Sequence, residues 1–189
     1  MEYLMTYGWA LLVIVIVIAV LLYINPFRAP EQCLFDQAGF LCSKPVLLVS
    51  GADAGGARVN SLLHATLTNG QRETIVIQGV MCLSTRVPPP GEFGQWPTAS
   101  GLGTTVVTRT LGYQESLDLG NFTADGSTTP DSSVQCLTTT DFTPGNTHVV
   151  TIRPGETFSG RLYVAYNYAS DTPGTPAKIV GANIVTQAQ

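Results

Sequence analysis

The chain has 189 residues, of which 44% are hydrophobic and only 12% charged, with a formal net charge of −4 at pH 7. Such a balance leaves no basic face for a phosphate backbone, which argues against broad nucleic-acid binding. Gly101-Leu102-Gly103 is too short to cradle a phosphate and no P-loop is present, so no cofactor is expected.

In chain order, the first element is the N-terminal run MEYLMTYGWALLVIVIVIAVLLYINPF, whose one charged side chain is Glu2. From Gly8 to Ile24 every residue is apolar or aromatic. A helix rising about 1.5 Å per residue crosses a ~30 Å hydrocarbon layer with about 20 residues, so residues 1–26 are predicted to form a long apolar helix able to span a membrane. Asn25-Pro26 supplies the stop, because proline cannot continue the ladder and pushes its predecessor out of the α region. The β-branched run Val13 to Ile18 is a poor helix former by itself. Being apolar on every face, the helix must sit in lipid or among like helices. No Lys or Arg precedes Arg28, which disfavours a secretory signal peptide with a basic n-region.

The remainder, residues 27–189, is long enough for one domain with its own core. It is rich in Thr, Ser, Gly, Pro and Val, and no stretch repeats apolar residues at helical spacing. Strands are predicted at Val46 to Val49, Val59 to Thr68, Thr74 to Leu83, Thr104 to Thr110, Glu115 to Leu119, Val134 to Thr139, Thr147 to Arg153, Phe158 to Tyr168 and Lys178 to Thr186. Asn69-Gly70 predicts a hairpin joining the second and third of these. Pro154-Gly155 and the run Thr172 to Pro176 predict two further turns. The expected fold is α+β, a long N-terminal apolar helix followed by an all-β, immunoglobulin-like β-sandwich.

Four cysteines, Cys33, Cys42, Cys82 and Cys136, follow the helix. An even number on one side of a membrane fits an oxidising exterior, and sequence separation favours Cys33 with Cys42 and Cys82 with Cys136 among the three possible pairings. A metal site is the alternative, but no C-x-x-C pair exists and only His64 and His148 are available, so none is expected. Asn121-Phe122-Thr123 is an N-glycosylation sequon in a polar stretch. The loop Val87 to Pro97 holds three successive prolines with Phe93 and Trp96; it either contacts a partner or covers its own core. Ser61, His64 and Asp53, or Asp141 and His148, contain the residue types of a hydrolytic triad without its activating turn, so no catalytic residue is assigned.

Met1-Glu2-Tyr3-Leu4-Met5-Thr6-Tyr7-Gly8-Trp9-Ala10 and the Val/Ile/Leu run after it resemble the start of the mature helix in archaeal type IV pilin-like proteins made with a class III signal peptide, a family that includes archaellins. The segment Pro154 to Gly160, leading into Leu162-Tyr163-Val164-Ala165-Tyr166, is similar to the last hairpins of such proteins. In that family the glutamate usually stands fifth in the processed chain; here it stands second. The resemblance implies an extracellular helical filament, pilus-like and adhesive or else an archaellum. Its precursor would be inserted in the membrane and handled by the assembly machinery. The partners would be identical subunits, with Glu2 pairing with the N-terminal amine of a neighbour. Glu2, Thr6, Gly8 and Trp9 are then the candidate assembly residues, the small ones permitting close helix approach. A helix-start acid favoured by the macrodipole is the simpler account of Glu2. A monomeric anchored ectodomain is the competing class, and an anchored hydrolase a distant third.

Overall fold

The computed structural model describes residues 2–24, 31–50, 60–85, 104–120, 134–138 and 149–189, with side chains at 2–6, 24, 44, 50, 60 and 104–108 left out of the description. The chain divides into two compact units, Met1–Pro30 and Glu31–Gln189.

The first unit holds α1 (Glu2–Ile24). Its sequence places no polar stripe on any side, and every described side chain from 7 to 23 is exposed. Among the described residues no helix is long and apolar enough to cross a membrane. The expected long membrane-spanning helix is corrected accordingly.

The second unit is built from β1 (Gln32–Phe35), β2 (Phe40–Ser50), β3 (Asn60–Asn69), β4 (Ile75–Leu83), β5 (Thr104–Leu111), β6 (Ser116–Leu119), β7 (Val134–Leu137), β8 (Thr157–Tyr168) and β9 (Lys178–Gln187). They form one nine-stranded sheet in the order β1-β9-β8-β4-β7-β3-β2, with β5 on β4 and β6 on β3. The immunoglobulin-like sandwich is therefore overturned, since the sheet curls into a nearly closed barrel. Two connections account for this. Strand β7 bonds to both halves, in parallel with β4 through Cys82↔Cys136 and Leu83↔Leu137, and antiparallel with β3 through Leu62↔Gln135 and Leu63↔Val134. At the other side the C-terminal residues run in parallel beside β2: Gln189 N–H donates to Leu47 O and Val49 N–H to Gln189 O, each at 2.9 Å. Thr186 Oγ1 also donates to Pro45 O at 2.6 Å, satisfying a buried hydroxyl at the same seam.

Two bulges explain why alternation in the sequence is imperfect. On β4 the register slips between Ile77 and Gly79, so that Ile75 and Ile77 face inward before it while Val80 and Cys82 do so after it. On β2 the slip between Ser43 and Val46 moves the inward phase from Phe40 to Leu47. An extra residue in one strand shifts a period-two pattern by one. Beyond the β4 bulge Met81 and Leu83 turn to the opposite face and join Leu137, Tyr163 and Ala165 in a second small apolar cluster. Gly160 on β8 is the one inward position where a Cβ would meet the Leu83 carbonyl oxygen at 2.6 Å, so a side chain there would push β8 off β4.

The hairpin expected across Asn69-Gly70 does not form, because β3 and β4 are not neighbours in the sheet. Asn69 acts through its side chain instead. Its fully buried Nδ2 donates to the carbonyls of Glu73 at 2.9 Å and of Leu111 and Gly112 at 3.1 Å, while Oδ1 accepts from Gln71 N–H at 2.9 Å. Short turns gather at this end of the barrel: Gly70 N–H donates to Gly39 O, Gln114 N–H to Asn69 O and Ala169 N–H to Thr74 O. The predicted strand Thr147 to Arg153 is reduced, within its described part, to bridges at Val149 and Ile152. Strand β1 and the first half of β2 were not anticipated. The β8–β9 hairpin and its turn at Thr172 to Pro176 match expectation.

Asn69→Ala removes the donor shared by three carbonyls and should destabilise the β unit by roughly 2–3 kcal/mol in denaturant unfolding. An unchanged midpoint would show that water replaces the amide without loss.

Candidate functional site

The surface that stands out chemically is α1. Tyr7 is 69% exposed, Trp9 72% and Tyr23 91%, and the intervening Leu, Val and Ile side chains are exposed as well. Each would gain about 1.5–3 kcal/mol on full burial from water. A Cβ placed on Gly8 would meet nothing within 4 Å, so the glycine leaves an open notch beside Trp9 on the helix. Glu2 and Thr6 lie on the same helix, with side chains outside the description. Helix geometry puts Glu2 one turn from Thr6 and Tyr3 one turn from Tyr7.

The cysteines pair as their spacing favours. Cys33–Cys42 joins β1 to β2 with a Cα separation of 5.5 Å, and Cys82–Cys136 joins register partners of the parallel β4/β7 pair at 4.5 Å. The second bond is fully buried, whereas Cys33 retains 9% exposure and Cys42 is half-buried. Among the described residues no group of three or more His, Cys, Asp or Glu is placed to hold a metal ion.

Ser61 and His64 both lie on β3 but three positions apart, which in a strand means opposite faces. Ser61 points inward, its hydroxyl donating to Val150 O at 2.9 Å, while the half-buried His64 stands on the other side. Asp53, Asn121, Asp141, His148, the loop Val87 to Pro97 and Gly101-Leu102-Gly103 fall outside the described residues.

Sequence reasoning passed over a groove of about 420 Å³ on the β unit, lined by Val76 and Gln78 of β4, Asn167 and Tyr168 of β8, and the turn that includes Thr172 and Thr175. Asn167 Nδ2 donates to Thr175 O at 3.0 Å and holds the turn against the strand. Asp171 Oδ2 accepts from Lys178 Nζ at 2.7 Å and from Tyr168 N–H at 2.9 Å. The Lys178 bond, helped by that backbone donor, holds the Asp171 carboxyl below its ordinary value, and the same bond raises the Lys178 ammonium. Lys178 Nζ also lies 4.6 Å from the centre of the Tyr168 ring. One signal was present in the sequence: Gln78 is the one polar residue in Ile75-Val76-Ile77-Gln78-Gly79-Val80.

Comparison with protein-family models, with curated proteins and with solved structures finds no match.

Mild reductant applied to the native protein, followed by alkylation, should label Cys33 and Cys42 well before Cys82 and Cys136, because attack requires access to sulfur. Simultaneous labelling of all four would mean that the β4/β7 junction opens together with the β1–β2 clip.

Proposed function

We propose that the chain is the structural subunit of an extracellular helical filament of the type IV pilus kind, used for surface attachment, in which α1 forms the polymer core and the barrel forms the sheath. The observation that carries this reading is the all-round exposure of the apolar side chains from 7 to 23. A helix with no polar face has no stable place in water, and like helices from identical subunits supply a matching surface on every side. Before assembly the helix is sheltered by lipid. Moving it from lipid to its neighbours gives little hydrophobic gain, so close packing at Gly8 and polar pairing by Glu2 select the assembled state.

The barrel suits a sheath. Closure of β2 onto the C-terminal residues takes up backbone groups that an open sheet would offer to another copy. On this reading polymerisation rests on the helix. Two disulfides support an oxidising exterior location.

Negative-stain microscopy of sheared surface material tests the filament directly. Glu2→Gln should lower filament yield roughly tenfold while leaving membrane association and barrel folding intact, since a polar contact in an apolar core contributes about 1–2 kcal/mol. Wild-type yield from this variant would remove Glu2 from the mechanism. Deleting residues 1–26 should leave a soluble, folded β unit that elutes as a monomer and retains its strand signal in circular dichroism. Long filaments from the deleted chain would place the polymer contacts on the barrel and overturn the helical-core reading.

A further inference from the structure

The β4 bulge does more than rephase the core. Gln78 is the residue inserted between Ile77 and Gly79, relative to the partner β8, and it lines the groove beneath the β8–β9 turn. Bulges re-aim a side chain, and they are over-represented beside binding sites. Gln78 is half-buried, and among the described residues no hydrogen bond engages its amide. An amide has two donor hydrogens and a carbonyl acceptor, and here all of them stay open to a ligand in the groove.

The rest of the groove defines what would use them. Asn167 commits its Nδ2 to Thr175 O, leaving Oδ1 as an acceptor. On the overhanging turn Thr175 Oγ1 donates to Thr172 O at 2.8 Å and lies 3.1 Å from Thr172 Oγ1, which leaves the Thr172 hydroxyl oxygen as an acceptor. Val76 and Ala177 add an apolar wall, while the Tyr168 ring packs against the inner core. The charged residue in its lining, Asp171, is bonded to Lys178 at 2.7 Å, which neutralises it. A volume of about 420 Å³ accommodates about one or two sugar rings.

We propose that this groove is a binding site for a neutral saccharide, recognised by the Gln78 amide, the Asn167 carbonyl oxygen and the Thr172 hydroxyl oxygen, with an apolar sugar face against Val76 and Ala177. Hydroxyl-rich ligands both donate and accept, which matches this mixed set; an anion would find no unpaired cation and a cation no unpaired carboxylate. The site belongs to the barrel alone, so it stands or falls independently of whether α1 polymerises.

Saturation-transfer-difference NMR on the full chain in dodecylphosphocholine micelles, whose headgroup carries no sugar, tests it with the methyl glycosides of glucose, galactose, mannose and N-acetylglucosamine. At least one should bind with a Kd on the order of 1 mM. Gln78→Ala should weaken that binding about tenfold, while Gln114→Ala, on the exposed β5–β6 turn, leaves it unchanged. Thr172→Val, on an exposed turn, should weaken it several-fold and gives a second reading if the bulge is disturbed by Gln78→Ala. Immobilised neutral oligosaccharides form the other arm: retention of the chain on them marks a surface glycan as the ligand, and binding of the free glycosides alone marks a soluble sugar. The proposal is overturned if none of the four glycosides shows transfer at about 50 mM. Equal affinity in both groove variants, or tighter binding of methyl glucuronide than of methyl glucoside, overturns it as well.

Discussion

The hydrogen bonds that tie Gln189 to Leu47 and Val49 close the sheet on itself, and the remainder of the β unit is arranged round that closure. Once the C-terminal residues lie beside β2, the inward faces of β2, β3, β4, β8 and β9 share one core in which Leu47, Leu63, Ile77, Leu162 and Ile184 are fully buried. A ring is only as sound as its weakest junctions. One is β7, held by two residue pairs on each side, parallel to β4 and antiparallel to β3; the other is the seam where β1 and β2 end the strand order. Each carries a disulfide, Cys82–Cys136 at the first and Cys33–Cys42 at the second. In the chain-entropy account a bond closing a longer loop constrains the unfolded chain more, so the link spanning 54 residues contributes more than the one spanning 9.

The two units solve opposite problems. Within the barrel, three buried polar side chains find partners inside the chain, Asn69 on three carbonyls, Ser61 on Val150 and Thr186 on Pro45, while Thr85 Oγ1 and Arg161 Nε are buried without one among the described residues. The helix satisfies its own backbone but nothing in its sequence covers its side chains, and burial of all faces requires a surrounding supplied from elsewhere.

Local elements were largely legible. Apolar composition and the Asn25-Pro26 stop located α1, and β-branched runs with flanking turn residues located the long strands β3, β4, β5, β8 and β9 to within a few residues. Cysteine spacing located both bonds. Connectivity was not legible, since it depends on bonds between segments distant in sequence. Asn69-Gly70 carries the composition of a two-residue turn, yet Gly70 is not among the described glycines with positive φ, and the asparagine side chain reaches across to Leu111 and Gly112. Closure through residues 188 and 189 could not be read from two terminal residues without periodicity of their own. Gln78 shows the same blindness at a smaller scale: a polar residue in an apolar strand reads as a flaw until the slipped register shows that it stands outside the alternation.

The Cys33–Cys42 bond also fixes how the barrel answers a pull. Force arriving along the chain from α1 enters at β1, a four-residue strand that would otherwise unzip from β9 one hydrogen-bonded pair at a time. Only Gln32 precedes the cysteine in that strand, so peeling halts after a single residue, and tension passes through a covalent bridge into β2. There it meets the nine register pairs between β2 and β3, distributed over both sides of a bulge. A short, weakly paired entry strand is thus covalently coupled to the longest-paired edge of the β unit.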